Sequence, residues 1–206
     1  MKAVRCPYLE TTTVSFCQVY PTRKMIPVGK GEAHKCSCST QAYNECSLFR
    51  EHAAADKDME EIRGFFLRTG YFFHPRHTWL AASRDIEGEV RMGIDDFAQR
   101  LIGAIDRVSI PPKGTALKEN RVGFLLHSRR GTVKMMAPAD GVIHTINPKV
   151  AACPSLINRD PYNEGWILSL RLSGDGTKGL YCGKSAERWL DWEGERLKRI
   201  CAADLG

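Results

Sequence analysis

Short apolar runs separated by Gly- and Pro-containing turns dominate the chain between residues 71 and 173. Within several runs apolar and polar residues alternate, which is the period of a β-strand with one buried face. The runs cover residues 89–94, 108–110, 122–126, 132–136, 142–146 and 166–172. Many short strands joined by such turns predict a mainly β domain with small helices over residues 71–173, arranged as a β-sandwich or flattened barrel.

A short helix is predicted within this β pattern, directly after the run that ends at Ile94. Asp95 or Asp96 is a suitable N-cap, because a carboxylate accepts hydrogen bonds from the free N–H groups at a helix start. Residues 97–102 follow, and Gly103 is a natural C-terminal stop.

Residues 51–70 are predicted to form a linker helix. From Met59 onward, large apolar residues recur at i, i+3, i+6 and i+7, which places them on one helical face. Asp56 or Asp58 is available as a cap, and Gly70 ends the pattern.

The segment 181–206 is predicted to form a C-terminal helix. Its apolar face comprises Ala186, Trp189, Leu190, Leu197, Ile200 and Cys201. Glu193 interrupts this face, and Gly194 costs the helix about 1 kcal/mol relative to alanine. We expect the face to dock on the helix's own domain, with docking on a partner as the alternative.

The composition is that of an ordinary globular protein, with 206 residues, 43% hydrophobic and 26% charged. No apolar run approaches the roughly 18–20 residues that span a bilayer. The first residues contain no apolar segment of signal-peptide length, so we expect a cytoplasmic protein. The net charge of +6 permits an acidic partner without requiring one.

The cysteines are concentrated near the N-terminus, within the predicted Cys-rich region of residues 1–50. Of eight in total, five precede residue 47: Cys6, Cys17, Cys36, Cys38 and Cys46. A segment with so few large apolar residues rarely folds without a cross-link or a bound metal. In a reducing cytoplasm, bonds between cysteine thiolates and a metal are the expected cross-link. We expect four of these cysteines to bind an iron–sulfur cluster or zinc; free or redox-active thiols are the third possibility.

Three motifs point to a known family. Residues 77–79 read His-Thr-Trp, residues 92–99 read Met-Gly-Ile-Asp-Asp-Phe-Ala-Gln, and residues 156–166 read Leu-Ile-Asn-Arg-Asp-Pro-Tyr-Asn-Glu-Gly-Trp. In this order they resemble the glycine cleavage system H-protein, over somewhat under half of the chain. The resemblance implies a lipoyl-type hammerhead fold for this β domain.

The resemblance also implies a carrier hairpin, whose tip in that family holds a lysine modified with lipoate. That lysine lies eight residues before a Pro-x-x-Gly turn, here Pro138 to Gly141. Counting back eight from Pro138 gives Arg130, and a slip of one residue gives Arg129. A guanidinium group has a pKa above about 12 and does not replace an amine as an acceptor, so we expect no lipoate here.

Other candidate site residues are less distinctive. Lys134 is an alternative acceptor, but it lies only four residues before Pro138, on the predicted return strand. His74 and His77 have a spacing that could suit a metal, but we expect them to be surface or hydrogen-bonded histidines. The basic tip suits phosphates or an acidic protein, or is simply solvated. No arrangement of catalytic residues is recognisable.

Three functional hypotheses follow. The first is a non-catalytic, non-lipoylated adaptor or docking module of H-protein type with an N-terminal metal or iron–sulfur site. The second is a lipoyl carrier of glycine cleavage or a related pathway that uses an atypical acceptor. The third is an electron-transfer accessory protein of an oxidoreductase complex. Each implies a protein partner, an enzyme or complex on which the hammerhead domain docks; neither a membrane span nor nucleic-acid binding is expected.

Overall fold

The structure is a computed structural model that describes residues 58–83 and 86–203 and the backbone of two strands near the N-terminus. The chain divides into two compact units, residues 1–57 and 58–206. In the first unit, β1 (Thr13–Phe16) and β2 (Met25–Val28) form an antiparallel pair.

The second unit contains eleven described strands and four described helices. In chain order they are β3 (Met59–Ile62), β4 (Phe65–Arg68), β5 (Phe72–Phe73), β6 (Thr78–Ala82), β7 (Val90–Ile94), α1 (Asp96–Ile102), β8 (Ile105–Ser109), β9 (Ala116–Leu117), β10 (Val122–Ser128), β11 (Gly131–Met136), β12 (Gly141–Ile146), α2 (Pro148–Ala152), α3 (Leu156–Arg159), β13 (Leu168–Leu172) and α4 (Gly183–Ala203). The predicted mainly β fold with small helices and a C-terminal helix is confirmed.

Two antiparallel sheets form the body of this unit. One has six strands in the order β5-β6-β7-β13-β12-β9, and the other has three in the order β11-β10-β8. One apolar cluster holds buried side chains from both, including Met92 and Leu170 from the large sheet and Phe124 and Leu126 from the small one. The core therefore lies between the sheets, as a sandwich requires.

Close packing explains the glycine of the Met-Gly-Ile motif. Gly93 lies opposite Trp79 in the β6–β7 pair, and a Cβ atom at Gly93 would stand 2.4 Å from the indole ring. Trp79 is fully buried, and its Nε1 donates to the carbonyl of Ile94 at 2.9 Å. Only glycine leaves room for this ring.

The predicted linker helix is wrong for residues 58–70, which form the β3–β4 hairpin; residues 51–57 lie outside the described residues. Arg63 and Gly64 form its two-residue turn with φ values of +52° and +84°. Two left-handed residues give a turn whose twist matches that of the strands. The apolar residues that suggested a helical face are instead cross-strand neighbours such as Ile62 and Phe65.

Tyr162 joins this hairpin to helix α1. The hydroxyl of Tyr162 donates to the carbonyl of Phe66 at 2.7 Å and accepts from the backbone N–H of Asp96 at 3.1 Å. The N–H of Phe66 in turn donates to the Asp96 carboxylate at 2.9 Å. Burial raises the pKa of Tyr162 well above its ordinary value, so the hydroxyl keeps the proton that it donates.

Helix α4 docks on its own unit, as predicted. Ala186, Trp189 and Leu190 are buried in a cluster with the β3–β4 hairpin and the start of the large sheet. Arg63 in the hairpin turn forms ion pairs with Asp191 and Glu195 of the helix, at 2.5 and 2.7 Å.

The apolar face of α4 is only partly covered. Ile200 is 52% exposed, and Cys201 is exposed too, so the predicted face extends beyond the packed part of the helix. Glu193, which interrupts that face, is nonetheless 4% exposed. It is buried because it faces His77.

Within residues 58–83 and 86–203, no helix is long and apolar enough to cross a membrane.

We expect Tyr162→Phe to destabilise the second unit by about 1–3 kcal/mol, because it leaves the buried N–H of Asp96 and the partly buried carbonyl of Phe66 without their shared partner. The measurement is the urea midpoint followed by tryptophan fluorescence, since all four tryptophans lie in residues 58–206. Tyr181→Phe is the matched control: Tyr181 stacks on Trp189, and its hydroxyl has no hydrogen-bond partner in the described chain. Equal midpoints for the two variants would contradict the role given to the Tyr162 hydroxyl.

Candidate functional site

The β10–β11 hairpin presents two arginines at its tip. Ser128 lies opposite Gly131, so Arg129 and Arg130 are the two turn residues between the strands. Gly131 has a φ of +131°, a conformation that favours glycine. The tip expected from the sequence therefore forms, with guanidinium groups where the resemblance implies an amine.

Lys134 lies away from this tip. It pairs with Leu125 within the strand ladder, three residues beyond Gly131, and its side chain is exposed. Between Arg121 and Met136 it is the only lysine. The turn itself therefore carries no primary amine.

Arg130 bends back toward the end of helix α1. Its Nη1 donates to the carbonyl of Leu101 at 3.2 Å. Leu101 belongs to the last turn of α1, where carbonyl groups lack helical partners and the helix end carries partial negative charge. The contact thus holds one arginine of the tip in a fixed direction.

A cleft of about 320 Å³ lies between the tip and this helix end. Two of its aliphatic side chains are partly open to solvent, Leu101 at 43% and Val133 at 38%. The residues that line the cleft are Leu101, Ile102, Ser128, Arg130, Gly131, Thr132 and Val133.

Asn158 holds the end of helix α1, whose last turn forms one side of the cleft. Its Nδ2 donates to the carbonyl of Gly103 at 2.8 Å and to Oε1 of Gln99 at 3.1 Å, while its Oδ1 accepts from the N–H of Ile105 at 2.9 Å. One side chain therefore joins the end of α1 to the start of β8. The sequence motif contained this asparagine, but its partners more than 50 residues away carry no local signal.

His127 organises the outer face of the small sheet. Its Nε2 lies 2.8 Å from the Ser109 hydroxyl, and its Nδ1 lies 3.3 Å from the Arg107 guanidinium and 2.9 Å from the Thr132 hydroxyl. A guanidinium can only donate, so Nδ1 accepts and the imidazole carries its proton on Nε2. Sequence reasoning missed Arg107, because no local pattern shows which strand β10 pairs with on its other side.

The whole hairpin is cationic. Residues 121–136 contain Arg121, Arg129, Arg130 and Lys134 and no aspartate or glutamate.

Comparison with known proteins matches residues 71–191 to the glycine cleavage H-protein family. The match covers more than half of the chain. This chain belongs to the glycine cleavage H-protein family. The first 70 residues lie outside the match.

Individual H-proteins are also similar to this chain. The glycine cleavage system H protein of Opitutus terrae is 36% identical over 97 residues, which are 47% of this chain and 75% of that protein. The H protein of Symbiobacterium thermophilum is also 36% identical, over 49% of this chain and 77% of its own length. The crystal structure of the Mycobacterium marinum H protein has a TM-score of 0.55 at 24% identity, covering 62% of this chain and 99% of that one. This last likeness confirms the hammerhead fold.

The tip of this H-protein family member does not fit an amide-linked lipoyl group. Such a link needs a primary amine at the turn, and Arg129 and Arg130 supply guanidinium groups, which stay protonated. The hairpin strands that present the turn are paired as an antiparallel ladder, so the turn is formed even though it lacks an acceptor amine.

The predicted metal site lies outside the described residues, because all five N-terminal cysteines do. Among the residues that the structure does describe, no three His, Cys, Asp or Glu side chains are grouped to hold a metal ion. His74 faces Asn120 at 2.9 Å, and burial lowers its pKa. His77 faces Asp95, so the structure does not place the two histidines as a ligand pair.

His77 links the large sheet to helix α4. Its ring lies between Phe97 and Trp189, with centroid distances of 4.6 and 5.0 Å. Its Nδ1 is 2.9 Å from Asp95, and its Nε2 is 4.0 Å from Glu193 of α4.

These carboxylates set the charge of His77. Burial by itself would lower the pKa of His77, but the attraction and hydrogen bond of Asp95, together with Glu193, raise it above 6.5. Arg196, paired with Glu193 at 3.0 Å, offsets part of that gain. The imidazolium is thus favoured in the folded state.

Another buried carboxylate lies directly before β7. Glu89 is 3% exposed, and it accepts from the Ser169 hydroxyl at 2.9 Å. His144 contacts its other oxygen, and Arg171 is 3.7 Å away. His144 lies at an irregularity in the β12–β13 pairing, which turns its ring toward Glu89.

The raised pKa of His77 predicts a pH dependence of stability. The stabilisation is complete below the unfolded pKa, about 6.5, and is lost as the pH rises through the higher folded value. Replacing His77 by Asn, which tolerates the observed φ of +63°, removes this contribution. The difference in unfolding free energy between the two proteins, measured by urea titration, should be largest near pH 6 and should shrink toward pH 9 or so. A difference that is independent of pH would contradict the assigned charge.

Proposed function

We propose that this chain is a non-catalytic member of the glycine cleavage H-protein family that carries no lipoyl group and serves as an adaptor on which a partner protein docks. One observation carries the proposal: both residues of the hairpin turn, Arg129 and Arg130, are arginines. A carrier arm needs a lysine at that turn, whereas a docking module needs only the surface around it.

The framework that presents the turn supports an adaptor over a decayed domain. The Asn158 side chain joins the end of helix α1, which forms one side of the cleft, to the start of β8. Arg130 is directed to the Leu101 carbonyl. A tip that is held in place but lacks the acceptor amine is suited to recognition.

We further propose that the N-terminal cysteines hold zinc or an iron–sulfur cluster. The ligands would come from Cys6, Cys17, Cys36 or Cys38, and Cys46. The antiparallel pair β1–β2 has only four residues in each strand, and an isolated two-stranded pair is marginal in water. A metal bound by four thiolates would supply the missing stability. An iron–sulfur cluster would add electron transfer to the adaptor role.

The proposed absence of lipoate is tested by placing a lysine, and so a primary amine, at the hairpin turn. Co-expression with a lipoyl ligase and intact-mass measurement should show no lipoyl addition on the wild-type chain. Arg130→Lys should gain a lipoyl mass, because it returns a lysine to the turn eight residues before Pro138. Arg121→Lys, which places a new lysine in the same hairpin but outside its turn, is the matched control and should gain far less. A lipoyl group on any lysine of the wild-type chain, Lys134 included, would contradict the proposal.

The metal proposal predicts stoichiometric metal in anaerobically purified protein. Elemental analysis should find about one zinc ion, or about four irons with sulfide, per chain. Cys17→Ser and Cys46→Ser should each lose most of this metal. Cys182→Ser should retain it, since Cys182 is an exposed thiol in the second unit. Wild-type protein without zinc or iron, or equal loss in all three variants, would contradict the site.

A further inference from the structure

Among the described residues of the second unit, the two arginines at the hairpin tip have no carboxylate partner, whereas several other arginines do. Arg63, Arg100 and Arg196 each form an ion pair with a carboxylate at 2.5–3.0 Å. Within residues 58–83 and 86–203, neither Arg129 nor Arg130 contacts a carboxylate. Residues 121–136 also contribute no acidic side chain of their own. The tip therefore carries positive charge that the fold does not neutralise.

Arg130 is oriented for a ligand without being satisfied by the protein. A guanidinium has five N–H donors, and one of those of Arg130 is bound to the Leu101 carbonyl. The remaining donors can grip a carboxylate in the two-point geometry that arginine favours. Because the side chain is already held, less conformational entropy is lost when a carboxylate binds.

The cleft beside Arg130 adds an apolar element. Leu101 and Val133 are exposed by 43% and 38% and face the same 320 Å³ space. Covering these side chains with an apolar group of a ligand removes apolar surface from water, which favours the complex. The geometry thus combines an aliphatic surface with adjoining cations.

We propose that this cleft and the Arg129–Arg130 tip bind a protein segment in which a large aliphatic side chain is flanked by carboxylates. The aliphatic side chain would lie on Leu101 and Val133, and the carboxylates would pair with the arginines. This inference rests on the proposed adaptor function and names its docking surface. A single-stranded nucleic acid is disfavoured, because no aromatic ring lines the cleft for base stacking.

The test uses the full chain and defined fluorescein-labelled peptides in an anisotropy titration at physiological ionic strength. One ten-residue peptide carries a central leucine between glutamates, and a second replaces that leucine by serine. Arg129→Glu and Arg130→Glu should each lower the affinity for the leucine peptide by at least about tenfold, because the attraction between arginine and the peptide's glutamates becomes a repulsion. Lys113→Glu reverses a charge at an exposed loop lysine away from the tip and should change binding less than about twofold.

The apolar contact is tested by Leu101→Ser, which should reduce the preference for the leucine peptide over the serine peptide. Tryptophan fluorescence and urea midpoints confirm that each variant is folded. No binding of either peptide by the wild-type chain, or equal losses for Arg129→Glu and Lys113→Glu, would overturn the inference. Tighter binding of an oligothymidine than of the leucine peptide would also overturn it, in favour of nucleic acid.

The proposed adaptor function fails separately. If the wild-type chain binds neither peptide and its mass shows no lipoyl group, only this docking surface is overturned. A lipoyl mass on the wild-type chain overturns the adaptor function itself.

Discussion

The register of the β10–β11 pair is the constraint on which the site depends. Side chains alternate between the faces of a strand, so a slip by one residue would expose the buried Phe124 and Leu126. The core therefore fixes Ser128 opposite Gly131, and this pairing alone decides which residues stand at the tip. Because a slip by one residue is excluded, Arg129 and Arg130 occupy the turn and Lys134 stays on the strand.

Helix α1 connects this tip to parts of the chain outside the family match. At its N-terminal end, Asp96 is bound by the β3–β4 hairpin and by Tyr162. At its C-terminal end, Asn158 and Arg130 bind the last turn and its cap. Seven residues of helix thus lie between the added hairpin and the cleft. The same hairpin holds helix α4 through Arg63, so this segment, which precedes the family match, contacts both helices.

Patterns within single elements were predictable from the sequence, and pairings between elements were not. The spacing of apolar residues predicts the strands of the β10–β11 hairpin and the C-terminal helix. The capping residues predict the short helix after Ile94. The β3–β4 hairpin was misread because its apolar residues also fit a helical face, and the left-handed Arg63 at its turn gives no sequence signal as clear as Asn-Gly. The partners of Asn158 and His127 come from distant strands, so only the folded chain shows how the cleft is built.

An H-protein framework that presents arginines in place of a carrier lysine should stay free of lipoate in its native cell. The intact mass of this chain, purified from the cells that naturally make it, measures this directly. We expect a mass without a lipoyl group and, after tryptic digestion, an unmodified Lys134. A lipoyl-modified residue anywhere in the chain would contradict it.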